Sequence, residues 1–304
     1  MTADPAPDRV AAADAAADPG DGRIGVALAP LRDRYAHWMG MRPEEVLADR
    51  DEAVEAVRAM QLVLRMERVA PPDWSAALVA AASGAARVCL DPRAEPGGPW
   101  FEAVSDYCSG SIRKVTRRAR AGHWDATGEL PGVTLAEDLP VAAGSAGGIG
   151  DRVRAEVRVL VPGPVEQLDP GVSRLQVGGT DVPEGPVPDA TGIDPAHCLQ
   201  VWLPVEPRMT LGKLMAQVGH AGMIAAALLA ADAQDGGDPD ALRRWRDAGC
   251  PVLLHGRTPH WDALLAGTGD AAAAWRDGRR LAVRDAGFTE IDPGTITVLA
   301  RAPR

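Results

Sequence analysis

LQVWLPVEPRMTLGKLMAQVGHAGMIA, residues 199–225, carries a strand signal, a turn and a helix signal in that order. LQVWLPV is short and apolar, as a buried strand requires, and Pro204 pushes its end towards a sheet edge or a bulge. Met209 to Ala231 then predicts a long helix entered through Thr210 as N-cap. On that helix Lys213, Gln217 and His220 follow at i, i+4 and i+7 and share one stripe. Lys213 is conspicuous, because 30 of the 32 basic residues are arginine and only Lys114 and Lys213 are lysine. A lysine kept against that bias either serves as a compact, rotatable ammonium whose pKa responds to burial, or survives by chance on a helix surface. Beyond the helix, PDALRRWRDAG predicts a short helix, PVLLHG a short strand and the stretch from His260 another helix. LAVRDAG and TITVLARA close the chain as a hairpin-like pair of strands.

The same pattern occurs earlier in the chain. MQLVLRMERVAPPDWSAALVAAASGAA, residues 60–86, superposes on 199–225 with seven of 27 positions identical, among them Gln61/Gln200, Glu67/Glu206 and Ala82/Ala221. AGHWDA, ending at Ala126, answers TPHWDA, ending at Ala263. His123 and His260 in these repeats are read as structural, at helix starts with aspartate in the first turn. An internal duplication follows, and with it an α/β fold of two similar halves, each a small mixed β-sheet flanked by helices. In this alignment Lys213, Gln217 and His220 face Trp74, Leu78 and Ala81, so the polar stripe exists only in the later half. We divide the chain into a disordered acidic tail (1–25), a degenerate half (26–161), a linker (162–198) and a C-terminal half (199–304).

Composition narrows the function classes. The net charge of −10 is concentrated in residues 1–25, which contribute −3, and 166–198, which contribute −5; from Leu199 onward twelve acids balance twelve bases. Acidity therefore does not exclude an RNA substrate. Cys89, Cys108, Cys198 and Cys250 are scattered with no CxxC, which argues against a zinc knuckle or disulfide framework and for a reducing cytoplasm. No apolar run of membrane-spanning length and no secretion-signal order is read from the sequence, so no membrane partner is expected.

LAVRDAGFTEIDPGTITVLARAP, residues 281–303, completes a candidate site. A strand delivers Asp285 into a turn relaxed by Gly287, and Thr289 follows four residues later in the same loop. Ammonium, amide, imidazole, carboxylate and hydroxyl, without thiol ligands or a phosphate loop, suit hydrolysis without a metal or other cofactor. Asp285 and Thr289 alternatively cap a turn, and His220 is either a satisfied core histidine or a proton carrier.

At these residues the chain resembles the type II peptidyl-tRNA hydrolases. The family's M-x-x-G-K-x-x-A-Q-x-x-H-A block is matched by Met209, Gly212, Lys213, Ala216, Gln217, His220 and Ala221. Its D-A-G-x-T loop before P-G is matched by Asp285, Ala286, Gly287, Thr289, Pro293 and Gly294. Three positions depart from the pattern: Pro204 and Glu206 stand where the family has R-x-D, and Phe288 where arginine is common. Pro204 and Phe288 remove phosphate-binding charge.

The resemblance implies cleavage of the ester joining a peptide to the 3′ ribose of tRNA, with Lys213, Asp285 and Thr289 catalytic and Met209, Gly212, Gln217, His220 and Gly287 supporting or binding. A non-catalytic tRNA- or protein-binding relative is the alternative, and hydrolysis of another ester or amide a third. Arg113, Lys114, Arg117, Arg118 and Arg120 form either a tRNA contact or a solvated face. Family members often pair, so the duplicated chain is expected to be a monomer acting as an internal pseudo-dimer.

Overall fold

A computed structural model describes residues 23–48, 56–141, 152–287 and 289–304. The acidic tail up to residue 22 and Phe288 lie outside the described residues. Helices α1 (Ala29–Gly40) and α2 (Pro43–Ala48) lead into the first sheet region. That region comprises β1 (Arg58–Arg65), α3 (Trp74–Leu90), α4 (Phe101–Ser109), β2 (Arg113–Ala119), α5 (Ala121–Thr127), β3 (Gly132–Pro140) and β4 (Arg152–Leu160). Three short elements follow, β5 (Gly163–Pro164), α6 (Pro170–Ser173) and β6 (Gln176–Val177). The second region comprises β7 (Leu199–Pro204), α7 (Leu211–Gln234), α8 (Pro239–Asp247), β8 (Val252–Thr258), α9 (Trp261–Ala266), α10 (Ala271–Gly278), β9 (Arg280–Arg284) and β10 (Ile296–Arg301).

Both regions are mixed α/β, and their sheets share one topology. The first runs β3-β4-β1-β2 with β6 added beside β2; the second, read in the same sense, runs β9-β10-β7-β8. In each, the first strand pairs in parallel with the strand after the long helix and antiparallel with the last strand. A parallel pair needs a crossover, which α3 and α7 supply.

The long helices hold the molecule together. Helix α3 rests on β3 and β4 and reaches β8 of the other sheet, while α7 rests on β7, β9 and β10 and reaches β2. Each region thus sets its long helix against the other's parallel strand. Where the helices meet, a Cβ on Gly222 would sit 2.2 Å from the Ala82 carbonyl oxygen, so only glycine permits this approach.

Strand β7 is central, but β10 pairs with it only as far as Trp202, so its end at Pro204 pairs with β8 alone, as at a sheet edge, and the β7–β8 register shifts between Val201 and Trp202. The structure departs from the sequence expectations at three places. The segment after His260 forms two short helices, with Asp270 capping the second through the backbone N–H of Ala273. Residues 162–198 are docked rather than free: β6 extends the first sheet, and Glu184 pairs with Arg208 and Arg257. Helix α7 is long and apolar enough to cross a membrane, but its most apolar window is 83% buried in this core.

Candidate functional site

Helix α7 begins where two segments satisfy its free N–H groups. Thr210 accepts from the backbone of Lys213 at 3.3 Å, and Asp181, from the docked segment, accepts from Leu211 N at 2.9 Å. Glu290 accepts from both the hydroxyl and the backbone of Thr210. Gly212 lets this first turn lie against the other region: its carbonyl accepts from the Thr116 hydroxyl at 2.8 Å, and a Cβ there would meet the Thr180 hydroxyl. Met209 is buried beside the turn.

Asp285 follows directly on β9, anchored by its own backbone to Thr295 and Gly294 across the loop. One carboxylate oxygen accepts from the Gly287 N–H at 2.7 Å. The other accepts from Lys213 Nζ at 2.5 Å and from Gln217 Nε2 at 2.7 Å. Gly287 is required here because its φ is +72° and a Cβ would strike the Pro293 ring. The Lys213 and Asp285 side chains are only 11% and 6% exposed, so this ion pair is worth more than a surface pair. Gln217 is held from behind by Thr297, fully buried on β10, whose hydroxyl donates to the amide oxygen at 2.5 Å.

Lys213, Asp285, Gln217 and His220 all line one cavity of about 660 Å³, and Thr289 stands exposed at its rim. The cavity is not built by the second region alone. Helix α1 contributes Leu31, Tyr35 and Trp38, and β2 contributes Lys114 and Thr116. Tyr35 fixes α1 there: its hydroxyl donates to the Ala282 carbonyl at 3.1 Å and accepts from the Ala282 N–H at 2.9 Å, clamping edge strand β9. Burial pushes the Tyr35 phenol up to about 12, which keeps it neutral.

The structure divides the basic run on β2. Lys114 and Thr116 face α7, with Lys114 Nζ 3.3 Å from His220 Nδ1. Arg117 points to the opposite face, buried against the Gln61 amide and the Leu175 carbonyl. Arg118 is exposed but bonded to Gln176 and the Gly179 carbonyl; Arg120 is exposed, and Arg113 borders the cavity. Strand alternation separates five neighbouring cations that the sequence groups together. Burial, followed by the charges of Lys114 and Lys213, drives His220 well below the ordinary histidine range, so it is neutral at physiological pH.

Sequence reasoning did not single out Thr297 or the α1 wall. A threonine on a strand reads as an ordinary β-former, and only its position beneath Gln217 reveals it. Among the described residues no group of three histidine, cysteine or acidic side chains converges as a metal site. No curated protein and no solved structure matches the chain. Residues 203–304, from within β7 to Arg304, match the family model of the type II enzymes, Peptidyl-tRNA hydrolase PTH2.

Proposed function

We propose that the protein hydrolyses the ester between a peptide and the 3′ ribose of tRNA. The direct contact of Lys213 and Gln217 with Asp285, inside the family-matched half and open to a cavity, carries this proposal. Asp285 orients a water for attack on the acyl carbon, and Lys213 stabilises the oxyanion of the tetrahedral intermediate. Collapse breaks the ester bond, the ribose oxygen takes one of the water's protons, the other is released to solvent, and the peptide leaves as a carboxylate. Thr289, at the rim, positions the ribose hydroxyl, and Gln217 with Thr297 fixes the Asp285 carboxylate. Of the basic set, the exposed Arg118 and Arg120 are the residues placed to meet phosphates.

We further infer that the two regions descend from one duplicated unit and form an internal pseudo-dimer; their common strand order and the reciprocal contacts of α3 and α7 support this. A second reading, hydrolysis of a smaller ester or amide, draws on the walls that α1 and β2 raise around Asp285. Release of peptide from peptidyl-tRNA decides between them. Wild type is expected to turn over, Asp285→Ala to lose about a thousandfold in kcat and Lys213→Arg about a hundredfold. Tight tRNA binding without turnover would point instead to a non-catalytic relative, and neither binding nor turnover to the smaller substrate.

A further inference from the structure

Only two lysines occur in the chain, in different regions, and both line the same cavity. Their surroundings differ. Lys213 has Asp285 as its counter-ion. Lys114 has none: among the described residues no carboxylate lies within ion-pair distance, and its Nζ is ringed by the Tyr107 hydroxyl at 3.3 Å, His220 Nδ1 at 3.3 Å and Met223 Sδ at 2.8 Å. Tyr107 already gives its proton to the Arg113 carbonyl at 2.7 Å, so it faces the amine as an acceptor.

The amine is held in place, not merely stranded. Gly219 opens the face of α7 to it; a Cβ there would lie 3.1 Å from Lys114 Cδ and 3.2 Å from Cε. The cavity wall is mostly apolar, with Leu31 and Tyr35 of α1, Ile112, Val115 and Ile224, and it also carries Arg34 and Arg113. A cation maintained without a partner in an apolar cavity costs stability unless something supplies the missing charge.

We propose that this end of the cavity is a carboxylate-binding site, with Lys114 as the receptor and an amphipathic monocarboxylate as the ligand, its apolar body lying against α1. One ammonium without a counter-ion matches one negative charge, and the mostly apolar wall suits an apolar body attached to it. His220, which the Lys114 amine contacts, lies seven residues beyond Lys213 on α7, a rise of roughly 10 Å between their backbone positions. A carboxylate at Lys114 is thereby kept clear of Asp285, and the site stands beside the hydrolytic reading without requiring it.

Protonation agrees with an anion site. Burial lowers the Lys114 amine to about 7, opposed only weakly by the buried thiols of Cys89 and Cys108. The groups facing it are Cys89 from α3, Tyr107 and Cys108 from α4, and the neutral His220 from α7, while Arg34 and Tyr35 of α1, Arg113 of β2 and Lys213 of α7 line the same cavity. Binding a carboxylate restores the proton, so above neutrality the ligand should bring a proton with it.

Isothermal titration of the full chain with octanoate and with octanamide, a neutral analogue of nearly equal shape, tests the site. At pH 7 octanoate should bind at least about tenfold more tightly than octanamide, and Lys114→Met should abolish that preference. At pH 8, titrations of wild type in buffers of different ionisation enthalpy should show proton uptake with octanoate and none with octanamide, a readout that survives even if the variant does not fold. Equal affinity for the two ligands, a preference that persists in Lys114→Met, or octanoate binding at pH 8 without proton uptake would overturn the proposal. Peptidyl-tRNA turnover does not enter these readouts, so the hydrolytic reading and this one fail separately.

Discussion

The two sheet regions share a strand order but differ in what their long helices do. On α7, Lys213, Gln217 and His220 border a cavity, whereas at the aligned positions of α3 Trp74, Leu78 and Ala81 are no more than 4% exposed and are packed into the core. The parallel strands diverge in the opposite sense: β2 presents Lys114 to the cavity, while β8 opens with the apolar run Val252, Leu253 and Leu254. Polar side chains at the cavity are therefore concentrated on one helix and are met by the other region's strand. The apolar helix is what allows that region to serve as a wall.

Four substitutions test this contrast, beginning with the largest effect. Trp74→Ala should cost about 4 kcal/mol in urea unfolding with little change in peptide release by the folded protein, since Trp74 fills core rather than site. A loss of turnover at unchanged stability would mean that the first region does more than support. Gly222→Ala forces a methyl group against the Ala82 carbonyl and should cost about 3 kcal/mol, followed by chemical denaturation; a smaller cost would loosen the claim that the regions are locked helix to helix.

Lys114→Met sharpens the comparison through pH. The buried amine releases its proton near pH 7 in the folded protein but near 10.4 when unfolded, so the unfolded chain binds more protons between those values and wild-type stability rises with pH across that window. The penalty is complete below pH 7 and gone above about 10. The variant should therefore be more stable than wild type at pH 6, with the advantage vanishing towards pH 10, as thermal melts across the series would show. The smallest effect belongs to Thr297→Val, which leaves the Gln217 amide oxygen without its donor. About 1.5 kcal/mol of stability should be lost, together with a fall in kcat larger than any change in KM, because Gln217 no longer holds Asp285 in place.

Much of this site was legible in the sequence because its key signals are local. Thr210 announces the helix start, the spacing of Lys213 and Gln217 puts both on one stripe, and Gly287 marks the turn after Asp285. What was not legible depends on distant partners. Thr297 and Gln217 are 80 residues apart, and Lys114 looks like part of a basic run until the pleat of β2 separates it from Arg117. Residues 162–198 have the composition of a linker, yet Asp181 and Glu184 tie them to α7, Arg208 and Arg257. Low hydrophobicity forecasts poor self-packing, but not docking onto a surface formed by the rest of the chain.

The Tyr35 clamp sets an order of events at the ribosome. Its two bonds to Ala282 bridge 247 residues, so α1 has no docking strand until β9 has been made. At typical elongation rates that interval is roughly 12 to 50 seconds. The pocket acquires its α1 wall only after it.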